Sequence, residues 1–427
     1  MGRKNTKGRG KPSRHQKNLS PIFQQNAIGD YLSNDIDGDV LREMNITEDF
    51  PQAVLDEVRD IVAREPDPKV LLNDPERQDL TNLPFITIDG EDARDFDDAV
   101  YAYPDTDGAN KGGHVLWVAI ADVSHYVQKG SALDKEAKRR GATVYLPGKV
   151  VPMLPEELSN GLCSLKPNEY RAVSAYKMKI SAEGKVLNYQ FCTGVIKSQA
   201  RLTYNQVLDA LEGRPDAQTQ PILSTLLEPL HNVSKSCKID RKKRKAIEFD
   251  TSELGVHVDR NQGKTPQFSI IKGDDARTLI EEAMISANIS AGKDQTNNCA
   301  AGAYRVQDQP EVKKNYTARI LAKLGVNSAR RLREGMQLTQ GDFVNLLGEA
   351  KSSKDPDYAK GLILRMQMRA TYSANNIGHF CLALPEYSHF TSPIRRYPDL
   401  RRHRNLKAAC NLKSGYSLDA ETAETDM

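Results

Sequence analysis

No uninterrupted apolar run in this 427-residue chain approaches the roughly eighteen residues that a membrane-spanning helix needs. The N-terminus is basic, but no apolar stretch follows it, so a secretory signal is not expected. Cysteine is sparse: Cys163, Cys192, Cys237, Cys299, Cys381 and Cys410 lie far apart and form no C-x-x-C pair. No Cys/His spacing suits zinc, and scattered thiols fit a reducing cytoplasm, the expected location. There is no P-loop, and no G-x-G-x-x-G opens a helix, so a phosphate-cradling loop is unsupported. Internal repeats are also missing.

What the chain does have is charge of both signs, in clusters. Lys and Arg number 60 against 57 Asp and Glu, a net charge of +3. Arg3 to Lys17 carries only cations. Lys235 to Lys245 contains Arg241-Lys242-Lys243-Arg244-Lys245, and Arg395 to Arg404 packs five arginines around Asp399. Segregated cations on a near-neutral chain suggest a polyanionic partner; the plainer reading is solvated helix faces and a loose tail.

Residues 1–27 read as a basic disordered tail, 28–84 as a lead-in segment with a helix, 85–410 as one catalytic domain, and 411–427 as a frayed acidic tail. Asp49 to Glu65 has helical apolar spacing, with Asp49 as candidate N-cap and Pro51 in the first turn. Phe85–Ile88, Ala99–Tyr103 and Val115–Ala121 read as strands, and Lys177–Ile180 with Val186–Phe191 as a hairpin. Leu202–Leu211, Leu279–Ala291 and Lys360–Ser373 read as helices. Strands mostly first and helices mostly later favour α+β, or mixed α/β.

Asp89, Asp95, Asp97 and Asp98 fall within ten residues, between two β-prone runs. A solvated acidic loop is the ordinary explanation. The flanking strands and the small residues Gly90 and Ala93 favour a tightly turned site instead. Four converging carboxylates repel each other and raise each other's pKa, which a hard divalent cation relieves. An all-oxygen set without Cys or His selects Mg2+, or Mn2+, and the EF-hand pattern does not fit. Metal-dependent hydrolysis of a phosphodiester follows as the chemical expectation. The second constellation is His389-Phe390-Thr391-Ser392-Pro393-Ile394-Arg395-Arg396-Tyr397-Pro398-Asp399-Leu400. Its prolines stiffen the backbone that carries Arg395 and Arg396, and guanidinium groups grip phosphate oxygens. Taken alone, it would read as the start of a surface helix.

Together, Ile88 to Ala99 (I-D-G-E-D-A-R-D-F-D-D-A) and His389 to Leu400 (H-F-T-S-P-I-R-R-Y-P-D-L) resemble motifs of the ribonuclease II/ribonuclease R (RNB) family. Val144–Pro147 with Val151–Pro155, Ser159–Leu165, Ala200–Tyr204 and Leu279–Met284 follow in family order, so the resemblance runs from about Ile28 to Ala409 and is nearer the ribonuclease R branch. It implies an RNB-type domain: a mixed sheet surrounded by helices that form a channel. It implies a 3′-to-5′ exoribonuclease releasing 5′-monophosphates from single-stranded RNA. Asp89 and Asp98 match metal ligands, Asp95 supports the metal shell, and Asp97 matches the aspartate most critical for cleavage. Arg395 matches the arginine on the scissile phosphate, with Arg396 beside it on the RNA. Tyr145 matches the aromatic that stacks on the 3′-terminal nucleotide, Tyr204 a tyrosine that holds the short end product, and Glu281 a glutamate near the terminal ribose. Sequence-tolerant stacking and a carboxylate on the 2′-hydroxyl suit that task. His389 and His403 read as structural.

The family's flanking OB-type domains are not found in this sequence, and Lys245 stands where the family often has Gly. A monomer is expected, with no membrane association. A catalytically silent RNA-binding protein and a small-substrate phosphoesterase are the competing classes. The basic segment 3–17 is expected to supply RNA affinity. Deleting it should weaken RNA binding and flatten the dependence of log K on log salt; an unchanged slope in a binding titration refutes that role.

Overall fold

A computed structural model of the chain describes residues 36–65, 67–146, 149–247, 253–257, 267–271, 273–297 and 302–410. Both expected tails, 1–27 and 411–427, lie outside the described residues. In chain order the elements that matter begin with α1 (Ile36–Glu43), α2 (Gln52–Arg64), β1 (Gln78–Asp79), β2 (Ile86–Asp89), β3 (Asp98–Pro104) and β4 (His114–Ala121). Next come α3 (Val123–Tyr126), α4 (Ala132–Arg140), β5 (Val144–Leu146), β6 (Lys149–Val151), β7 (Tyr170–Ile180), β8 (Val186–Lys197) and β9 (Ala200–Thr203). After these follow α5 (Tyr204–Leu211), α6 (Glu228–Lys243), β10 (Glu253–His257), β11 (Gln267–Ile271), α7 (Asp275–Asn297) and β12 (Tyr304–Val306). The last are α8 (Asn315–Leu324), α9 (Gln340–Ala350), α10 (Pro356–Leu364), β13 (Thr371–Ser373) and α11 (Tyr397–Ala409).

The main sheet has seven strands in the order β1-β8-β7-β4-β3-β2-β9. The outer pairs β1/β8 and β2/β9 are parallel and the inner ones antiparallel, which makes it a mixed sheet. Strand periodicity sorts the core. Leu116, Val118 and Ile120 face a cluster containing Leu230 and Val233 of α6 and Leu279, Ala283 and Ala287 of α7. Val115, Trp117, Ala119 and Ala121 face the opposite cluster, with Val54 and Val58 of α2 and Leu133 and Ala137 of α4. A sheet buried on both faces needs helices on both faces, and the fold is the mixed α/β arrangement expected. A further apolar cluster joins α8, α9 and α10. Among the described residues no helix is long and apolar enough to cross a membrane.

Three sequence boundaries are corrected. α2 begins at Gln52 with Pro51 as N-cap, not at Asp49: a proline disfavours helical backbone in the residue before it. The Asp49 carbonyl instead accepts from Arg140. Leu202 and Thr203 belong to β9, whose register on β2 pairs Ile88 with Leu202 and Asp89 with Thr203; the helix starts at Tyr204, where Thr203 and Gln206 form a capping box. The expected helix 360–373 is α10, which starts earlier and ends at Leu364, while Thr371–Ser373 pairs with β12. The hairpin of β7 and β8 is as expected but longer. Its turn requires Gly184: φ is +88°, and a Cβ there would lie 2.0 Å from the Ser236 carbonyl oxygen of α6.

α11 is anchored from beneath by charge. Lys407 is 1 % exposed, and its Nζ donates to both carboxylate oxygens of Asp122 at 2.6 and 2.7 Å. Arg77 reaches the same carboxylate at 2.9 Å, and these cations hold the Asp122 carboxyl well below its usual range against the effect of burial. Lys407→Met leaves a buried carboxylate short of a partner. It should cost about 3 kcal/mol in urea unfolding, with much of the loss recovered by adding Asp122→Asn; a neutral single variant contradicts the anchoring.

Candidate active site

The acidic segment spans the ends of two neighbouring strands. Asp89 closes β2, Asp98 opens β3, and the turn between them is clamped from several sides. The Arg201 guanidinium donates to the carbonyls of Gly90 and Glu91. The Ser164 hydroxyl accepts from the Phe96 amide at 3.1 Å and donates to the Arg94 carbonyl at 2.7 Å. The Asp97 carbonyl accepts from Ala121 of β4 at 2.8 Å. Arg201 and Ser164 had no assigned role in the sequence, although both sit inside segments that carry the family resemblance.

The arginine motif meets this turn directly. Asp97 is 5 % exposed, and its Oδ1 accepts from the Ile394 amide at 3.0 Å, across 297 positions of sequence. Arg395 Nε lies 3.7 Å from Asp97 Oδ2. The motif is braced on α7: Asn288 accepts from the Phe390 amide at 2.8 Å and donates to the Tyr387 hydroxyl at 3.1 Å. His403 stacks on Phe390 with ring centroids 4.4 Å apart and bonds its carbonyl, the structural role expected. His389 takes the Tyr372 hydroxyl at 2.7 Å on Nδ1, and burial pushes its pKa down to about 3, so it is a neutral wall residue.

The electrostatics are those of an uncompensated anionic site. Burial first, then Asp95, pushes Asp89 up to about 6. Burial pushes Asp97 up to about 8, although Arg395 and the Ile394 amide pull the other way. Asp98 is raised well above the ordinary range by burial and by Asp89 and Asp97, and Asp95 is raised by burial. Arg395 lowers all four, so one guanidinium serves the whole group without neutralising it. Asp89 Oδ2 and Asp98 Oδ2 are buried with no hydrogen-bond partner.

Every site residue named from the sequence lines one cavity of about 780 Å3: Asp89, Asp95, Asp97, Asp98, Tyr145, Tyr204, Glu281, Arg395 and Arg396. They do not stand alike within it. Tyr145 is 56 % exposed and presents an open ring. Tyr204, at the start of α5, packs against the Arg277 guanidinium at 4.9 Å. Arg395 is 44 % exposed, whereas Arg396 is turned to Asp399 at 2.6 Å. Glu281 is 53 % exposed and pairs with Arg241 at 2.6 Å, while its neighbour Glu282 takes the interior position. The helix turns Glu282 inward, so the outward carboxylate is the one that reaches the cavity.

Among the described residues, several of the clustered cations are already paired. In the second run Lys238, Arg241, Lys243 and Arg244 pair with Asp275, Glu281, Glu183 and Asp240. In the third, Arg404 is buried on Asp134 at 2.7 Å.

A mixed sheet with an aspartate quartet and an arginine at its strand ends defines a class of fold and site, and comparison with known proteins identifies it. The RNB domain profile matches residues 77–411. Ribonuclease R of Escherichia coli (strain K12) is 39% identical over 419 residues, covering 97% of this chain and 49% of that protein. The apo form of Mycoplasma genitalium RNase R superimposes with a TM-score of 0.76 at 32% identity, covering 87% of this chain and 56% of that one. The same enzyme in complex with ribose methylated single-stranded RNA gives 0.71 at 31% identity, covering 83% and 57%. The chain belongs to the RNB domain family. It spans about half the length of the curated relatives it matches.

The residues suit a hard divalent cation. Two buried carboxylate oxygens lack any partner, and the donor set is all oxygen. Among the described residues no three Asp, Glu, His or Cys side chains form a ready metal cage. Mg2+ does not require one, since it commonly takes one or two carboxylates with water and substrate phosphate. The raised pKa values give a signed test. The folded state holds more protons than the unfolded one from about 3.8, the ordinary carboxylate value, up to about 8. Stability from this site therefore falls as pH rises through that window unless a cation replaces the protons. Mg2+ should raise Tm, more at pH 8 than at pH 5.5, and less in Asp98→Asn; a Tm unmoved by Mg2+ at pH 8 would contradict the reading.

Proposed function

We propose that the chain is a divalent-metal-dependent 3′-to-5′ exoribonuclease that hydrolyses single-stranded RNA to 5′-monophosphates. The observation that carries this is the joining of the aspartate turn to the arginine motif through Asp97 and the Ile394 amide, inside the cavity that also holds Tyr145, Tyr204 and Glu281. Asp89 and Asp98 would hold Mg2+, or Mn2+, with Asp95 in support; when bound, the metal supplies an activated water and charge neutralisation at phosphorus.

The chain's own groups account for the rest. Arg395, exposed beside Asp97, donates to the phosphate oxygens as the P–O3′ bond breaks, leaving a 3′-hydroxyl on the shortened RNA. Asp97 Oδ1 is committed to the Ile394 amide, so Oδ2 is the oxygen left to orient water at the phosphorus. The exposed ring of Tyr145 offers the terminal base a face that does not read sequence. Tyr204 closes the cavity near Asp89 and Asp98, where the end of a short product would rest. Glu281 accepts from the 2′-hydroxyl, which distinguishes RNA from DNA. Arg396 serves the RNA indirectly, because its charge is already paired with Asp399. The E. coli relative bears the name ribonuclease R, and the M. genitalium structure contains RNA, which supports RNA as the substrate class.

With 5′-labelled single-stranded RNA and Mg2+, products should shorten stepwise from the 3′ end and stop with chelator. Asp97→Asn should lower the rate about 10²- to 10⁴-fold while RNA binding persists. Full activity in that variant, or RNA binding with no turnover by the unaltered chain, would refute the proposal, the latter in favour of a silent RNA-binding protein.

A further inference from the structure

A second cavity, of about 720 Å3, shares Arg396 and His389 with the acidic one. Its walls come from the end of α4, from β12 and β13, and from the start of α11. Its charge is opposite. Lys138, Arg305, Arg396, Arg401 and Arg402 line it, and among the described residues no carboxylate does. Of the acids behind the wall, Asp399 pairs with the lining Arg396 at 2.6 Å and offsets that one charge, while Asp134 is taken by Arg404 at 2.7 Å.

Arg402 is the decisive residue. It is 2 % exposed. Its Nη2 donates to the Gln295 side-chain carbonyl and to the Ala303 carbonyl. Its Nε and Nη1 are buried and have no partner. Burial pulls its pKa down to about 10, as expected of a cation with too little counter-charge. A buried guanidinium with unmet donors is destabilising until an anion meets it. Arg305 lies 4.7 Å from the centre of the Tyr372 ring, and Tyr372 is tied to His389.

We propose that this cavity binds a phosphate monoester, and that its occupant is the 5′-mononucleotide released in the adjoining acidic cavity. The second half of the proposal rests on the exonuclease reading. A phosphate monoester carries nearly two negative charges near neutral pH and three acceptor oxygens, a better match to this cation set than a singly charged diester. The volume lies within the range of small-molecule sites. Mutual repulsion disfavours the same anion among the four aspartates when no metal is present. A product drawn across the Arg396–His389 wall leaves the carboxylates clear for the next phosphodiester.

The test is calorimetric titration of the full chain with AMP, inorganic phosphate or adenosine, in chelator and without RNA. AMP and phosphate should bind saturably, AMP about tenfold tighter, and adenosine should not bind. Arg402→Met should abolish both, and AMP should raise the Tm of the unaltered chain but not of this variant; a purely structural arginine would leave the AMP-induced shift in place. Arg402→Lys should keep measurable binding, and Arg305→Ala should weaken it if the methionine variant does not fold. No phosphate binding by the unaltered chain, or undiminished binding in Arg402→Met, overturns the site. Equal affinity for AMP and phosphate overturns the mononucleotide as occupant. Asp97→Asn should titrate like the unaltered chain, so loss of the nuclease reading and loss of this site are separable.

Discussion

The site depends on one hydrogen bond: the Ile394 amide to Asp97 Oδ1. It joins segments from opposite ends of the described chain and fixes the distance between the carboxylate group and the Arg395 guanidinium. Everything around it works to hold those two backbones still. Arg201, Ser164 and the Ala121 amide clamp the acidic side, while Asn288 and His403 brace the basic side through Phe390. Beneath them, the Lys407–Asp122 pair ties α11 to the segment that follows β4. Backbone bonds of this kind cost little entropy when the site binds its substrate, because the groups are already ordered.

Much of this was legible from local pattern. Short β-prone apolar runs marked β3 and β4, and an apolar helical stripe marked most of α7, because those elements carry enough apolar residues to stand out locally. The aspartates and Arg395 were legible as chemistry, since four carboxylates so close together are hard to explain otherwise. What escaped was set by tertiary contact. Leu202 and Thr203 look helical beside Tyr204, yet the free edge of β2 claims them. Thr371–Ser373 is strand only because β12 is there to pair with it. Glu281 and Glu282 cannot be told apart by type, and only the packing of α7 turns one inward.

The basic runs teach a related lesson. Sequence clustering suggested a polyanionic partner, but among the described residues several of these cations are paired with acids of the fold. Lys407 and Arg404 are interior ions that hold helices to the sheet. Arg395 differs in being exposed and shared among four acids, and Arg402 in being buried with two of its donor nitrogens unmet. Local surroundings, not density along the chain, decide which arginine is available for chemistry.

The clamped turn between β2 and β3 has a further consequence. Both of its ends are held by ladder pairing, Ile88 and Asp89 on β9 and Asp98 on Ile120 of β4. Its length is therefore as constrained as its composition. Surface loops usually absorb an added or deleted residue, but here a single one would swing Asp97 off the Ile394 amide and flip the order of acids facing inward. The spacing of these aspartates is a ruler built into the sheet, and it allows exchange of side chains far more readily than any change in count.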